Sequence, residues 1–243
     1  MEEERRAALL HNLAAVRRGI AEAAERAGRD PDGVRLVAVT KGQELDDLRA
    51  VLAGGVTDLG ENRVQELVAK AAALVGEKPA PRWHMIGYLQ RNKVKALLPW
   101  CRIIHSVDRL SLGEEIARRA EGGPPVEVLV EVNVTGEATK AGVRPAEAEG
   151  LLRALAALPG IRVRGLMTVA PVSPEAERNR PVFRELRRLS ERLNGLGIPG
   201  VELVELSMGM SQDYAVAVEE GATLVRVGTA IFGPRAAIIR EVH

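Results

Sequence analysis

Residues 34–41 read VRLVAVTK, a largely apolar run that ends in a threonine and a lysine. Such runs of Val, Leu and Ile are typical of strands that are covered on both faces. A helical pattern follows this run, and the same order recurs to the end of the chain. The strands predicted in this way span residues 34–39, 56–60, 83–87, 102–107, 126–134, 163–169, 201–207 and 223–228. The helices predicted after them span about residues 44–54, 62–76, 90–98, 109–121, 145–158, 181–195, 210–220 and 234–241.

This alternation predicts an α/β fold with a parallel sheet, because no two strands follow each other as a hairpin. Eight such units close most naturally into a (β/α)8 TIM barrel, a fold of about 250 residues. An open doubly wound sheet is the alternative, but its first strand usually leads into a glycine-rich loop that is missing after Lys41. A further helix is predicted at about residues 3–27. We therefore predict one barrel domain over residues 1–243 with an extra N-terminal helix.

Composition argues against several classes of function. The chain has 34 basic and 33 acidic residues, and 2% of its residues are aromatic, so nucleic acid is not expected as a partner. No apolar run reaches the roughly 20 residues that span a bilayer, and the charged N-terminus is unlike a secretory signal. Cys101 is the only cysteine, which fits a reducing compartment, and no cluster has the ligand spacing of a zinc site. We expect a cytoplasmic protein with no membrane partner and no metal.

Lys41 stands at the most informative position in the predicted barrel. In this fold the chemistry takes place at the carboxyl ends of the strands, and Lys41 ends the first strand. In a poorly hydrated pocket mouth an amine is favoured in its neutral form, which reacts with aldehydes. The alternative is a lysine on the rim whose head group stays in water.

The last two strands end in residues that suit an anion. Gly228-Thr229 opens a segment whose backbone N–H groups and hydroxyl could contact a phosphate, and Ser207, Gly209 and Ser211 could contribute from the neighbouring strand. The alternative is that these glycines only end strands and begin helices. The first and eighth strands are neighbours in a closed barrel, so an aldehyde-reactive lysine and a phosphate site would lie side by side.

Seven short motifs together resemble one known family. The resemblance runs in order from about residue 34 to 235, and the motifs are AVTK (38–41), GEN (60–62), WHMIGYLQRNK (83–93), SVD (106–108), GLM (165–167), SMGMSQD (207–213) and VRVGTAIFG (225–233). In these motifs the chain resembles the pyridoxal phosphate homeostasis proteins, whose fold is similar to the barrel domain of alanine racemase. The resemblance implies that pyridoxal 5'-phosphate (PLP) is the cofactor.

The same resemblance implies roles for individual residues. Lys41 matches the lysine that forms the Schiff base, and Arg226 matches the arginine that faces the pyridine nitrogen. The residues that match the phosphate site are Ser207, Gly228 and Thr229. Further positions that match the pocket wall are Asn62, His84, Met208 and Met210.

The resemblance implies a protein of PLP homeostasis that binds the cofactor without efficient catalysis. An arginine beside the pyridine nitrogen disfavours its protonation, which makes the ring a poorer electron sink. Racemases with this arginine use a tyrosine from a second domain, whereas this sequence has only Tyr88 and Tyr214, and we expect no such domain after the eighth unit. We expect no catalytic residues, a monomer, and PLP-requiring apo-enzymes as candidate recipients. The alternatives are a low-activity amino-acid racemase and a Schiff-base aldolase for a sugar phosphate.

Overall fold

Eight parallel strands form the centre of the molecule in the computed structural model, which describes residues 3–234. Each strand pairs with the next along the chain, and the eighth pairs with the first, so the sheet closes into a barrel. The strands are β1 (Arg35–Val39), β2 (Asp58–Glu61), β3 (Arg82–Met85), β4 (Ile103–Val107), β5 (Val126–Glu131), β6 (Ile161–Met167), β7 (Val201–Ser207) and β8 (Leu224–Val227). The predicted (β/α)8 barrel is therefore confirmed.

Helices surround the barrel and bury its outer face. In chain order they are α1 (Glu3–Arg26), α2 (Leu45–Ala53), α3 (Val64–Ala73), α4 (Val94–Leu97), α5 (Leu110–Ala120), α6 (Ala148–Ala156), α7 (Arg180–Asn194), α8 (Tyr214–Glu219) and α9 (Thr229–Phe232). The extra N-terminal helix is confirmed as α1. The helix predicted at about residues 234–241 lies outside the described residues, and the short α9, directly after β8, was not predicted as a helix.

The α1 helix packs across the side of the barrel where the first and last units meet. Its apolar stripe, which includes Leu9 and Leu13, is buried against the core, and this burial supplies most of the stability of such a helix. Two polar contacts then fix its position. Arg5 donates to both carboxylate oxygens of Asp47 on α2, and Asn12 donates to the carbonyl of Ile231 on α9 at 3.0 Å. The segment that follows β8 is thereby fixed from outside.

Two glutamates on β5 show how the barrel interior is organised. Glu127 and Glu131 are four residues apart, so they lie on the same face of a strand, and the sequence predicts that they point into the barrel or to its rim. Glu127 borders a cavity at the amino ends of the strands, and Glu131 is buried near the carboxyl ends. The two side chains therefore mark opposite ends of the interior.

No helix within the described residues is both long enough and apolar enough to cross a membrane. Among the elements within residues 3–234, only α1 has the length for a bilayer, and it carries too many charged side chains for one.

Candidate functional site

A cavity of about 450 Å³ opens at the carboxyl ends of the strands. This size falls within the range of about 300–1,000 Å³ that is usual for small-molecule sites, and the position is the one expected for a barrel of this kind. The residues that line it lie at the carboxyl ends of six of the eight strands or directly after them. They are Val39, Lys41, Asn62, Ile86, Val169, Pro171, Val172, Met210, Ser211, Gln212, Asp213, Arg226, Gly228 and Thr229.

Lys41 lies on one wall of this cavity, two residues after the end of β1, and its side chain is half-buried. The backbone on both sides of it is held by side chains of α3. Lys70 donates through Nζ to the carbonyl oxygen of Thr40 at 2.6 Å, and Glu66 accepts from the N–H of Gly42 at 2.5 Å. The peptide segment that carries Lys41 is therefore anchored on either side of the lysine.

These two anchors belong to one buried network, the Lys70 cluster, which consists of Lys70, Glu61 and Glu66. The Lys70 Nζ atom lies 2.8 Å from Glu61 Oε1 and 2.7 Å from Glu66 Oε1. Burial raises the pKa of Glu61, although the hydrogen bonds from Lys70 and Thr40 oppose that change. The second oxygen of Glu61, Oε2, is buried without a hydrogen-bond partner among the described residues. The carboxylate consequently depends on Lys70 for its counter-charge.

The wall beside Lys41, formed after β7 and β8, presents backbone N–H donors that converge on one atom, the hydroxyl oxygen of Ser211. The hydroxyl oxygen of Ser211 accepts from the N–H of Gly228 at 3.2 Å and from the N–H of Ala230 at 3.1 Å. These N–H groups belong to the start of α9, where helical donors have no partner within the helix. The hydroxyl proton of Ser211 is left to donate, and Thr229 adds a second hydroxyl nearby. A wall of this chemistry suits an anion.

Gly209 makes the turn that brings β7 and the Ser211 segment to this wall. Its φ of +91° lies in the left-handed region, where residues with a side chain are strained. A Cβ atom at this position would lie 2.5 Å from the Cβ of Ala217, so it would also collide with α8. The carbonyl of Gly209 accepts from the backbone N–H of Arg226 at 3.0 Å. The turn therefore holds the segment after β7 in register with β8.

Arg226 forms the floor of the cavity and is buried. Its Nη1 atom donates to Ser207 Oγ at 2.6 Å, and its Nη2 atom donates to the carbonyl oxygen of Thr168 at 2.9 Å. Burial lowers the pKa of Arg226 to about 10, while the charges of Glu131 and Asp213 oppose this effect. The guanidinium therefore stays charged at neutral pH, with its orientation fixed by two hydrogen bonds.

Six of the nine predicted site residues line the cavity, and three do not. Those on its walls are Lys41, Asn62, Met210, Arg226, Gly228 and Thr229. His84, Ser207 and Met208 lie deeper, and each is fully buried. Met208 packs in the hydrophobic core, and its N–H donates to the carbonyl of Leu224. His84 and Ser207 bond to other side chains inside the barrel.

The geometry separates the two serines that the sequence offers for a phosphate site. The hydroxyl of Ser207 lies between Arg226 and His105 Nδ1, at 2.6 and 2.8 Å, whereas Ser211 reaches the cavity. Ser207 is still within β7, and a strand residue whose side chain points into the barrel is enclosed by the neighbouring strands. Ser211 stands four residues further on, past the strand, and lines the cavity.

Both tyrosines lie outside the cavity lining. The hydroxyl of Tyr214 lies against α1, so close to Gly19 that a Cβ atom added there would be 2.3 Å from the hydroxyl oxygen. Tyr88 is 57% exposed, and the guanidinium of Arg109 lies 4.8 Å from the centre of its ring. Neither phenol is placed on the cavity wall to act as an acid or base there.

Glu131 is a buried carboxyl near Arg226 whose pKa lies well above its ordinary value. Burial and the neighbouring charge of Asp108 raise its pKa from 4.5 to about 7, and Arg226 only partly opposes them. Between these two pH values the folded protein keeps a proton on Glu131 that the unfolded chain releases. The free energy of unfolding therefore falls as pH rises through this window, by about 3 kcal/mol from this group alone.

We expect Glu131→Gln to remove this part of the pH dependence. The variant should gain up to about 3 kcal/mol of stability relative to the wild type between pH 5 and pH 8, since glutamine has no proton to lose. Urea unfolding at both pH values measures the difference. Glu127→Gln, at the other end of β5, is the matched control. A wild-type slope of stability against pH in Glu131→Gln would contradict the assignment.

Known proteins share this chain's sequence and fold. Residues 11–236 match the family described as alanine racemase, N-terminal domain. A pyridoxal phosphate homeostasis protein of Aquifex aeolicus is 44% identical over 92% of this chain and 96% of its own length. The corresponding protein of Deinococcus radiodurans is 46% identical over 91% and 99%. The structure of PipY of Synechococcus elongatus with PLP bound is similar with a TM-score of 0.80 and 36% identity, over 93% of this chain and 100% of PipY. This chain belongs to the family of pyridoxal phosphate homeostasis proteins and carries the alanine racemase N-terminal domain.

Proposed function

We propose that this protein binds PLP as a Schiff base on Lys41 and serves PLP homeostasis without efficient catalysis. The observation that carries the proposal is the placement of a lysine and two converging backbone N–H groups on neighbouring walls of one cavity. The relative PipY, whose structure contains PLP, supports the same ligand. Bound PLP supplies an aldehyde for reversible attachment and, in enzymes, an electron sink.

PLP would be held by one covalent bond, to Lys41, and by non-covalent contacts to its phosphate. The amine of Lys41 adds to the aldehyde carbon, and the carbonyl oxygen leaves as water, so a C=N bond replaces the C=O bond. Ser211, Gly228 and Thr229 would hold the phosphate. Three or four bonds to a charged group contribute on the order of 5–12 kcal/mol gross, against an association cost estimated at 4–15 kcal/mol. Phosphate contacts alone therefore bind loosely, and the bond to Lys41 makes retention tight.

The side chains around the cavity support binding rather than turnover. The ionisable residues among its described walls are Lys41, Asp213 and Arg226. Asp213 already accepts from the N–H of Met210 and from the amide of Asn179, each at 2.7 Å, so its carboxylate is committed to the loop. Arg226 carries a positive charge to the place proposed for the pyridine nitrogen, which disfavours protonation of the ring. An acid–base pair of the kind that racemisation requires is therefore missing from these walls.

Incubation of the PLP-loaded protein with L-alanine and L-serine tests the absence of turnover. A homeostasis protein should form no D-enantiomer above the level seen with free PLP. Racemisation that disappears in Lys41→Ala would establish the alternative, a low-activity racemase, which the alanine racemase N-terminal domain makes the natural competitor. A protein that binds no PLP and condenses with a sugar phosphate instead would be the aldolase.

The proposal extends to the protein's setting in the cell. We propose one PLP-binding domain over residues 1–243, a monomer in the cytoplasm, and PLP-requiring apo-enzymes as recipients of the cofactor. Mixing the loaded protein with an apo-enzyme and following recovery of that enzyme's activity tests the last point. Recovery no faster than with an equal concentration of free PLP would argue against transfer.

We expect Ser211→Ala to weaken PLP binding about 10-fold, which corresponds to one lost bond to a charged group of about 1.5 kcal/mol. The substitution removes the hydroxyl that would donate to the phosphate and that links the N–H groups of Gly228 and Ala230. Absorbance titration with PLP measures the dissociation constant. Ser173→Ala, in a neighbouring loop outside the lining, is the control. Wild-type affinity in Ser211→Ala would place the phosphate elsewhere.

A further inference from the structure

A chain of four hydrogen-bonded side chains runs through the barrel interior to Arg226. Asp58 Oδ1 lies 2.8 Å from His84 Nε2, and His84 Nδ1 lies 2.9 Å from His105 Nε2. The other nitrogen of His105, Nδ1, lies 2.8 Å from Ser207 Oγ, which accepts from Arg226 at 2.6 Å. We call Asp58, His84, His105 and Ser207 the interior relay.

The relay begins at the amino ends of the strands and ends at the cavity floor. Asp58 is the first residue of β2, and its second oxygen, Oδ2, accepts from Arg82 at 2.7 Å and from the hydroxyl of Thr57 at 3.0 Å. Arg82 borders the cavity at the amino ends. Arg226 borders the cavity at the carboxyl ends. The four side chains therefore connect the two mouths of the barrel.

Only one assignment of protons satisfies every bond in the relay. Burial lowers the pKa of both His84 and His105, so each ring is neutral and has one donor and one acceptor nitrogen. Burial opposes ionisation of Asp58, but the hydrogen bonds from His84 and Arg82 prevail and lower its pKa to about 2. A carboxylate accepts, so His84 carries its proton on Nε2. His105 must then donate from Nε2, and Ser207 must donate to His105 Nδ1.

This order leaves a lone pair of Ser207 directed at Arg226. The Nη1 donor of the guanidinium therefore always finds an acceptor, and the Thr168 carbonyl holds Nη2. Both histidines are fully buried, with ring centres 5.1 Å apart and an angle of 71° between the rings. Burial of this many polar groups destabilises a fold unless each one has a hydrogen-bond partner. Here each ring nitrogen has such a partner.

We propose that Asp58, His84 and His105 are positioning residues that act through Ser207 to fix the orientation of Arg226 on the cavity floor. Asp58 sets the direction of every hydrogen bond from the far end of the barrel. The consequence for the cofactor rests on the proposed function, because it requires PLP above Arg226. Disturbing the relay should then change the absorption of the PLP Schiff base without touching any residue of the cavity wall.

The first test needs no substitution in the relay and no cofactor. The chain has four histidines, so replacing His11 and His243 by asparagine leaves only His84 and His105 in a ¹⁵N spectrum of the imidazole rings. We expect both rings to be neutral, to carry the proton on Nε2, and to keep these shifts across neutral pH. A proton on Nδ1 of either ring would overturn the proposal, whether or not the protein binds PLP.

The second test reverses the relay with Asp58→Asn. The new amide has a single oxygen, which Arg82 and Thr57 require, so its NH2 group faces His84 and donates. Both histidines should then carry the proton on Nδ1. With PLP added, we expect a shifted absorption maximum of the Schiff base and roughly 3- to 30-fold weaker binding.

Thr57→Val is the matched control, because it removes a bond to the same carboxylate outside the relay. It should keep the wild-type ring protonation and the wild-type PLP spectrum. The proposal fails if Asp58→Asn leaves the ring protonation unchanged, or if the rings reverse while the PLP spectrum and affinity stay at wild-type values. It fails equally if Thr57→Val causes the same changes as Asp58→Asn.

Discussion

Lys41→Ala is expected to abolish the visible absorption that PLP acquires on binding. Without the amine no C=N bond forms, and the remaining phosphate and ring contacts must offset the association cost alone. We expect the dissociation constant for PLP to rise at least about 100-fold, since this loss exceeds that of a single charged hydrogen bond. Absorbance spectra and equilibrium dialysis with PLP measure the two effects separately.

The fold should tolerate this substitution. Lys41 is half-buried in a loop, and the backbone bonds at Thr40 and Gly42 are kept in the variant. Urea unfolding should therefore show a cooperative transition in Lys41→Ala as in the wild type. Lys95→Ala, at an exposed position of α4, is the control. A Lys41→Ala protein that binds PLP with wild-type colour and affinity would move the Schiff base to another lysine.

Lys70→Met is expected to cause the largest loss of stability among the substitutions considered. The carboxylate of Glu61 is fully buried, and Lys70 is its counter-charge at 2.8 Å. Removal of one partner from a buried ion pair costs about 3–5 kcal/mol, because the other charge is left uncompensated. The carbonyl of Thr40 also loses one of its two donors and keeps the N–H of Gln43. Urea unfolding measures the loss, with Lys95→Met as the control.

A second substitution separates the buried charge from the loss of packing. Glu61→Gln in the Lys70→Met background removes the uncompensated carboxylate, so we expect it to recover about 1–3 kcal/mol. A Lys70→Met protein that is as stable as Lys95→Met would show that Glu61 is protonated in the fold without help from Lys70. The double variant would then bring no recovery.

The barrel could be predicted because each strand carries its own signal. Runs such as residues 34–39 and 223–228 are apolar enough to mark strands covered on both faces, and β1 and β8 lie at Arg35–Val39 and Leu224–Val227. Lys41 follows the first run and Gly228 ends the last, so both residues can be identified from the sequence alone. The rule that barrel chemistry lies at the carboxyl ends then places Lys41 and Gly228 on one cavity.

Depth along the barrel axis could not be predicted in the same way. Alternation tells which residues of a strand point inward, but the stagger between strands decides which layer they occupy. His84 pairs in register with Gly60 and Ile103, below the mouth, so it faces His105 and Asp58 rather than the cavity. The same uncertainty affects Ser207, which lies in the barrel interior while Ser211 lines the cavity.

The Lys70 cluster could not be predicted from the sequence for a different reason. Lys70 and Glu61 are nine residues apart, across the turn between β2 and α3, and their common partner Thr40 is 30 residues before Lys70. No helical or strand periodicity connects positions at those separations. A contact of this kind can be identified only from the structure, which shows how α3 packs on β2.

Borohydride reduction of the PLP-loaded wild-type protein, followed by tryptic peptide mapping, tests the central claim most directly. Reduction makes the bond to the lysine permanent, and trypsin does not cleave after a lysine so modified. We predict a pyridoxyl group on Lys41 in an uncleaved peptide of residues 36–49, in an amount close to one per chain. Peptides 36–41 and 42–49 recovered unmodified, with the pyridoxyl group on another lysine or on none, would contradict the account.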